Sequence, residues 1–388
     1  MNDPKERLFS LDALRGADML FIMGFAGAVI SACKWLGFGG DCWLAEQMTH
    51  VKWHGFRHHD TIFPLFLFLA GVSWPFSLAS QISKGYKTSQ ICLRIIKRAF
   101  VLILLGLFSR TFFRFEFDNV RYDSVLAHIG ICWAGAAFLY LCVKNWYGRM
   151  GIAIGLLILH WLVLFLFTAP DMNALLSSTD PKIMKIVAGY KLTGQDGFSF
   201  VGNIAGWIDR TIMPGVLYET VFDPDGILGK ITGIALAMFG MAAGGLIREK
   251  NLSGNRKTVL LLCAGLVLLL ICLIWKEWCP VNKKIWTSTF VLASVAYSCI
   301  ALAVFYWIID VKGIKKWTFF FRVIGMNAIT IYMLMRIVNF SGISEYFFGG
   351  IAELGNKDWH MLTVQSGKIL IEWLLLWFLY KKKAFFRA

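Results

Sequence analysis

Long apolar runs almost empty of charge recur along the chain, among them 99–108, 152–168, 234–247 and 259–275. About 20 mostly apolar residues in a helix cross about 30 Å of hydrocarbon, and a helix satisfies its own backbone polar groups where no water can. The alternation of a membrane barrel is absent, so helices are the expected element. The pattern predicts ten spanning helices, at 16–36, 60–82, 95–113, 124–143, 149–168, 228–247, 258–275, 288–310, 318–336 and 367–383. Three long segments join spans on the side away from the termini: 37–59, 169–227 and 337–366. The expected fold is an all-α, polytopic integral membrane bundle, with residues 1–388 forming one transmembrane domain.

Composition agrees. Of the 388 residues, 57% are hydrophobic and only 16% charged, where a soluble domain carries about a quarter charged residues. The net charge of +15 does not point to nucleic acid, because the basic residues sit in short clusters between apolar runs. They are denser in the segments on the side of the termini, which predicts cytoplasmic amino and carboxyl ends. The polar start shows no small-residue cleavage site after a short apolar run, so the first helix is expected to be retained. The cysteines fall mostly inside apolar runs and read as packing residues. Cys42 and Cys279 lie in loops on the far side, where they are the pair available for a disulfide.

The candidate chemistry concentrates at 43–60, which holds Trp43, His50, Trp53, His54, His58, His59 and Asp60. Ionisable groups at a membrane boundary are costly and call for pairing or function. Imidazole exchanges protons near neutral pH and can accept an acyl group, and an aspartate can orient it and support its charged form. The ordinary alternative is a belt of His, Trp and Arg at headgroup level. His50, His54 and His58 have the i, i+4, i+8 spacing of a metal site. Gly55 interrupts a continuous helix there, and no cysteine or second carboxylate completes a shell, so no metal is expected.

On the opposite side, Lys84, Lys87, Arg94, Lys97 and Arg98 serve topology or form a phosphate-binding patch for a nucleotide-like cofactor. No G-x-G-x-x-G or Walker sequence accompanies them. Trp207, Asp209 and Arg210 combine aromatic and charged groups that suit a sugar ring, although the Asp-Pro and Asp-Gly pairs that follow are turn signals. Asn282 and Lys283 (280–290) and Asn327 and Tyr332 (325–332) sit at or inside apolar spans. Asn327 also reads as an interhelical hydrogen bond. No serine elbow or H-E-x-x-H is present.

These segments together resemble the transmembrane heparan-α-glucosaminide N-acetyltransferase family and its bacterial members. The opening 7–16 (RLFSLDALRG) looks like the start of the family's first core helix. His50, Trp53, Gly55, Asp60, Phe63 and Pro64 match its H-x-x-W-x-G-x(4)-D-x-x-F-P pattern, and WIDR, FDPDGILG, PVNKKIW and GMNA follow in order. The chain departs at 24–26, which lacks a family asparagine, and at Ala127 and His128, where members often carry Gln-Arg.

The resemblance implies an acetyltransferase that takes acetyl from cytoplasmic acetyl-CoA and delivers it to an amine or hydroxyl of a sugar-type acceptor across the membrane. It makes His50 and Asp60 catalytic. Arg94, Lys97, Arg98 and Arg15 are the expected cofactor-binding residues. Trp53, Trp207, Asp209, Arg210, Asn282 and Asn327 are the expected acceptor-binding residues. The expected location is a bacterial inner membrane, and the expected partners are the lipid bilayer, acetyl-CoA and a glycan acceptor, with a homodimer left open. The competing reading from another class is a solute transporter, which usually shows inverted repeats. The histidine segment has no echo in the second half of the chain.

Overall fold

A computed structural model describes residues 8–109, 120–190 and 193–386. Its main helices are α1 (Phe9–Trp35), α2 (Ile62–Ser83), α3 (Thr88–Leu107), α4 (Val125–Cys142), α5 (Trp146–Leu166), α6 (Ile204–Ile212) and α7 (Gly229–Arg248). The chain continues through α8 (Gly254–Trp275), α9 (Ser288–Val311), α10 (Thr318–Gly325), α11 (Ala328–Ile337), α12 (Phe340–Ala352) and α13 (Lys357–Lys381). Capping oxygens mark several starts: Ser124 accepts from the amide of Ala127, Asn203 from Gly206 and Thr287 from Phe290. Each satisfies a backbone donor that the first turn leaves free.

Among the described residues, eight helices are long and apolar enough to cross a membrane, namely α1, α2, α4, α5, α7, α8, α9 and α13. The pair α10–α11, bent by 66°, makes a ninth if it is one span. The sequence predicts ten. The shortfall is its third span: α3 carries Arg94, Lys97 and Arg98 through its middle and so lacks the apolarity of the others. Residues 110–113 of that expected span lie outside the described residues.

Two expected loops have more structure than their composition suggests. Segment 337–366 contains α12, and the last helix begins at Lys357 rather than at 367. Segment 169–227 folds on an apolar core of its own, built from Trp53, Phe198, Phe200, Val221 and Phe222 together with Cys279 and Ile285 from the α8–α9 connection. Cys42 and Cys279 are both free thiols. Cys279 is buried, and the pairing that the sequence left available is not made.

The centre of the bundle is α2 against α7. Gly240 lies on the carbonyl of Phe68, Gly244 on that of Val72, and Gly71 on that of Ala237. A Cβ at any of the three would collide with backbone, so small residues are what let these helices approach. Asp310 of α9 accepts the amides of Phe9 and Ser10 at 3.3 and 3.2 Å, anchoring the start of α1. At the opposite end Trp35 meets Trp359, ring centroids 5.0 Å apart. Between them α1 is interrupted by a π-turn at Phe21–Phe25, where Gly24 adopts φ 130°.

Candidate active site

The segment before α2 has little regular structure and is held by side chains. Gln47, on the short helix Trp43–Gln47, accepts the amide of His58 at 3.0 Å. Arg57 donates to Thr49 Oγ1 at 2.7 Å and pairs with Glu46 at 3.4 Å. The amide of Gly55 donates to the carbonyl of Val281 at 2.8 Å, tying the segment to the α8–α9 connection. Trp53 is buried: its indole N–H donates to the carbonyl of Phe198 at 2.9 Å, and its ring meets Tyr190, Phe200 and Phe222 edge-on. It clamps the segment to the 169–227 layer.

That scaffold brings His50 to Asp60. The His50 Nδ1 lies 2.7 Å from Asp60 Oδ1, and Asp60 also accepts the amides of Arg57 at 3.2 Å and Val51 at 3.4 Å. The His50 side chain is 53% exposed while that of Asp60 is 2% exposed, so the ring projects from a fixed, buried anion. A carboxylate only accepts, so Nδ1 carries a proton in this contact. Burial pushes the Asp60 carboxyl up, but the His50 hydrogen bond and the Lys283 charge outweigh it and hold the group below the usual carboxylate range. Lys283 Nζ stands 3.5 Å from Asp60 Oδ1 and 3.1 Å from His50 Nδ1. Burial lowers the Lys283 ammonium from its ordinary value, against the pull of Asp60.

The other histidines of the segment are held neutral. His59, its ring 4.5 Å from that of His50, is pushed down to about 4, first of all by burial. Burial also lowers His54 and His58.

The remaining expected acceptor residues are dispersed. Asn282 is buried beside the site, its Oδ1 accepting the amides of Lys284 at 2.8 Å and Ile285 at 3.3 Å to form a turn, its amide 3.5 Å from His54 Nδ1. Trp207, Asp209 and Arg210 lie on α6. Asp209 is buried, accepting the amides of Asp223 and Ile227, and burial raises it to about 6. Arg210 makes a bidentate pair with Asp171 at 2.9 and 2.7 Å. Nearby, Arg121 pairs with Asp223 and Asp225, and Lys230 with Asp123. Burial lifts Asp225 to about 6. Asn327 sits at the α10–α11 bend, donating to the carbonyl of Val323 at 3.2 Å.

Three of the four expected cofactor residues do converge. Arg94, Lys97 and Arg98 line a cavity of about 450 Å³ with Trp74, Ser77, Gln81 and Lys84 of the second half of α2 and the connection after it. The Arg98 guanidinium lies over the Trp133 ring at 4.2 Å, and its buried Nε has no hydrogen-bond partner. A buried donor left unmade in a basic cavity fits an anionic ligand such as the phosphates of acetyl-CoA. Arg15 reaches the carbonyl of Leu69 at 3.1 Å and the hydroxyl of Ser73 on α2, but does not line the cavity.

Lys283 is the member of the centre that sequence reasoning left out of its site. Its PVNKKIW context was legible, but only the fold brings it to His50. His128, at one of the departures from the family pattern, is buried and stacked on Trp286 at 4.4 Å.

An all-helical bundle with a histidine–aspartate pair at one end of α2 and a basic cavity towards the other is an integral membrane protein with two chemically distinct faces. Two curated proteins are similar to it along nearly its whole length. Heparan-alpha-glucosaminide N-acetyltransferase of Homo sapiens is 26% identical over 420 residues, covering 98% of this chain and 60% of the relative. The protein of that name from Mus musculus is 24% identical over 429 residues, covering 99% and 62%. No protein-family model matches. The chain is a distant relative of these proteins and spans about three-fifths of their length.

Proposed function

We propose that the chain is an acetyl-CoA-dependent membrane acetyltransferase, moving acetyl to an amine or hydroxyl of a sugar-type acceptor. The observation that carries it is the pairing of the two ends of α2. Asp60 fixes His50 at one end, and the cavity lined by Arg94, Lys97 and Arg98 begins at Trp74. At about 1.5 Å of rise per residue, these lie roughly 20 Å apart. The phosphates of the donor would rest on the basic residues, and its long arm would carry the thioester towards His50. Two routes are open there. The Nε2 lone pair attacks the thioester carbonyl and expels the thiolate, or it takes a proton from the acceptor as the acceptor attacks. The names of the relatives support the same class of transfer. In this reading both termini are cytoplasmic, the donor enters from that side, and the membrane is a bacterial inner membrane.

The test is incubation of the purified protein with labelled acetyl-CoA and a panel of amino sugars, reading label transfer. Transfer to at least one acceptor is expected, and none across the panel would count against the reading. The transporter reading draws on the two interrupted helices, α1 at Gly24 and α10–α11 at Asn327, which are a common device of transporters. Sugar accumulation in sealed vesicles without acetylation would favour it.

A further inference from the structure

Asp60 is a buried carboxylate whose neighbours favour its ionised form, and a buried charge needs a counter-charge. Two groups are in reach, His50 at 2.7 Å and Lys283 at 3.5 Å. If His50 were the counter-ion it would be an imidazolium, protonated on both nitrogens, with no lone pair to attack a thioester or take a proton. We propose that Lys283 is a positioning residue that supplies the counter-charge of Asp60, leaving His50 neutral with its Nδ1 proton on the carboxylate and its Nε2 lone pair free. What the lone pair then does rests on the acetyltransferase reading; the charge balance does not.

The surroundings favour this division. The Lys283 ammonium, 3.1 Å from Nδ1, opposes a second proton on the ring through space. Arg57 is committed to Glu46 and Thr49, and Lys284 turns away to Glu219 at 2.6 Å and Tyr190 at 2.7 Å. His59 faces His50 as a neutral ring, His58 packs on Phe21 at 4.5 Å, and His54 lies against Asn282. Asp225 and Lys284 act on Lys283 from a distance in opposite senses. Among the described residues, Lys283 is thus the cation left to Asp60.

Diethyl pyrocarbonate acylates neutral imidazole, so its reaction with His50, followed against pH by mass spectrometry of the His50 peptide, titrates that ring without any acetyl transfer. In Lys283→Gln the midpoint should rise by about one pH unit or more, because the ring inherits the role of counter-ion. Lys283→Arg should return it close to the wild-type value. An unchanged midpoint in Lys283→Gln protein that melts like wild type overturns the proposal. If Lys283→Gln alone does not fold, the Asp60→Asn background serves, since it removes the charge to be balanced. The through-space effect of the ammonium on the ring remains there, so adding Lys283→Gln should still raise the midpoint, and an unchanged midpoint would overturn the proposal. Absence of acetyl transfer by the wild type would sink the acetyltransferase reading and leave this titration standing.

Discussion

In the proposed reaction, His50 and Asp60 divide the work of one catalytic group between an exposed ring and a buried anion. That division gives a sharp expectation for substitution. His50→Ala should lower acetyl transfer by at least about 100-fold, the scale of lost proton transfer. Acetyl-CoA affinity, measured by calorimetry, should stay within a few fold because the basic cavity is untouched. Asp60→Asn should fall between His50→Ala and wild type, since the carboxylate that orients the ring is gone. Near-normal transfer by His50→Ala would remove His50 from the chemistry.

Asp209 makes a different expectation, about stability. Its carboxyl is raised to about 6 by burial, above the unfolded value of about 3.9. Between these values the folded state holds a proton that the unfolded state has lost, so stability from this group is present below pH 4 and lost as pH rises towards 6. The melting temperature of Asp209→Asn relative to wild type should therefore climb between pH 4 and 7. A flat difference would show the carboxyl titrating normally.

Trp53, Asp209 and Arg210 show where residue-level reading stopped. Residue type marked them as sugar ligands, but aromatic and charged groups also staple loops, and the deciding facts are distant partners. Trp53 donates to Phe198, Arg210 pairs with Asp171, and Asp209 caps amides of the turn ahead of α7. None of these pairings has a local sequence signal. The His50–Asp60 contact, by contrast, spans only ten residues and is closed by one turn at His58–Asp60, so its two members lie within one short sequence pattern.

At the level of elements, hydropathy located the apolar helices well because the bilayer imposes a length and a composition on each. It failed where an element answers to something else. α3 gives up apolarity to place Arg94, Lys97 and Arg98 around the cavity, and α10–α11 breaks at Asn327 inside one apolar run. The α3 exception predicts its own test. Lys97→Gln with Arg98→Gln should weaken acetyl-CoA binding, each lost charge-assisted hydrogen bond costing about 1.5–3 kcal/mol, or roughly ten-fold or more per residue. Unchanged affinity by calorimetry in folded protein would reduce the cluster to a topological anchor.

For the whole molecule, the proposed reading puts the two faces on opposite sides of a bilayer, with the side that holds more basic residues in the cytoplasm. A cysteine introduced at Ser253, at the start of α8, should be protected in intact cells from an impermeant thiol reagent. One introduced at Ser177, in the layer that carries Trp53, should react. The reverse pattern would turn the orientation over and put the donor on the other side.

The length of α2 carries one more consequence. Its 22 residues make a rod of about 33 Å, with the reactive ring just beyond one end and the anion-binding walls along the half towards the other. In the proposed reaction the helix is therefore a gauge of its donor. A small activated acetyl compound such as acetyl phosphate, held by its charge at the basic walls, would be stranded far from the ring. A thioester on a long flexible tether can be held at one end and spent at the other.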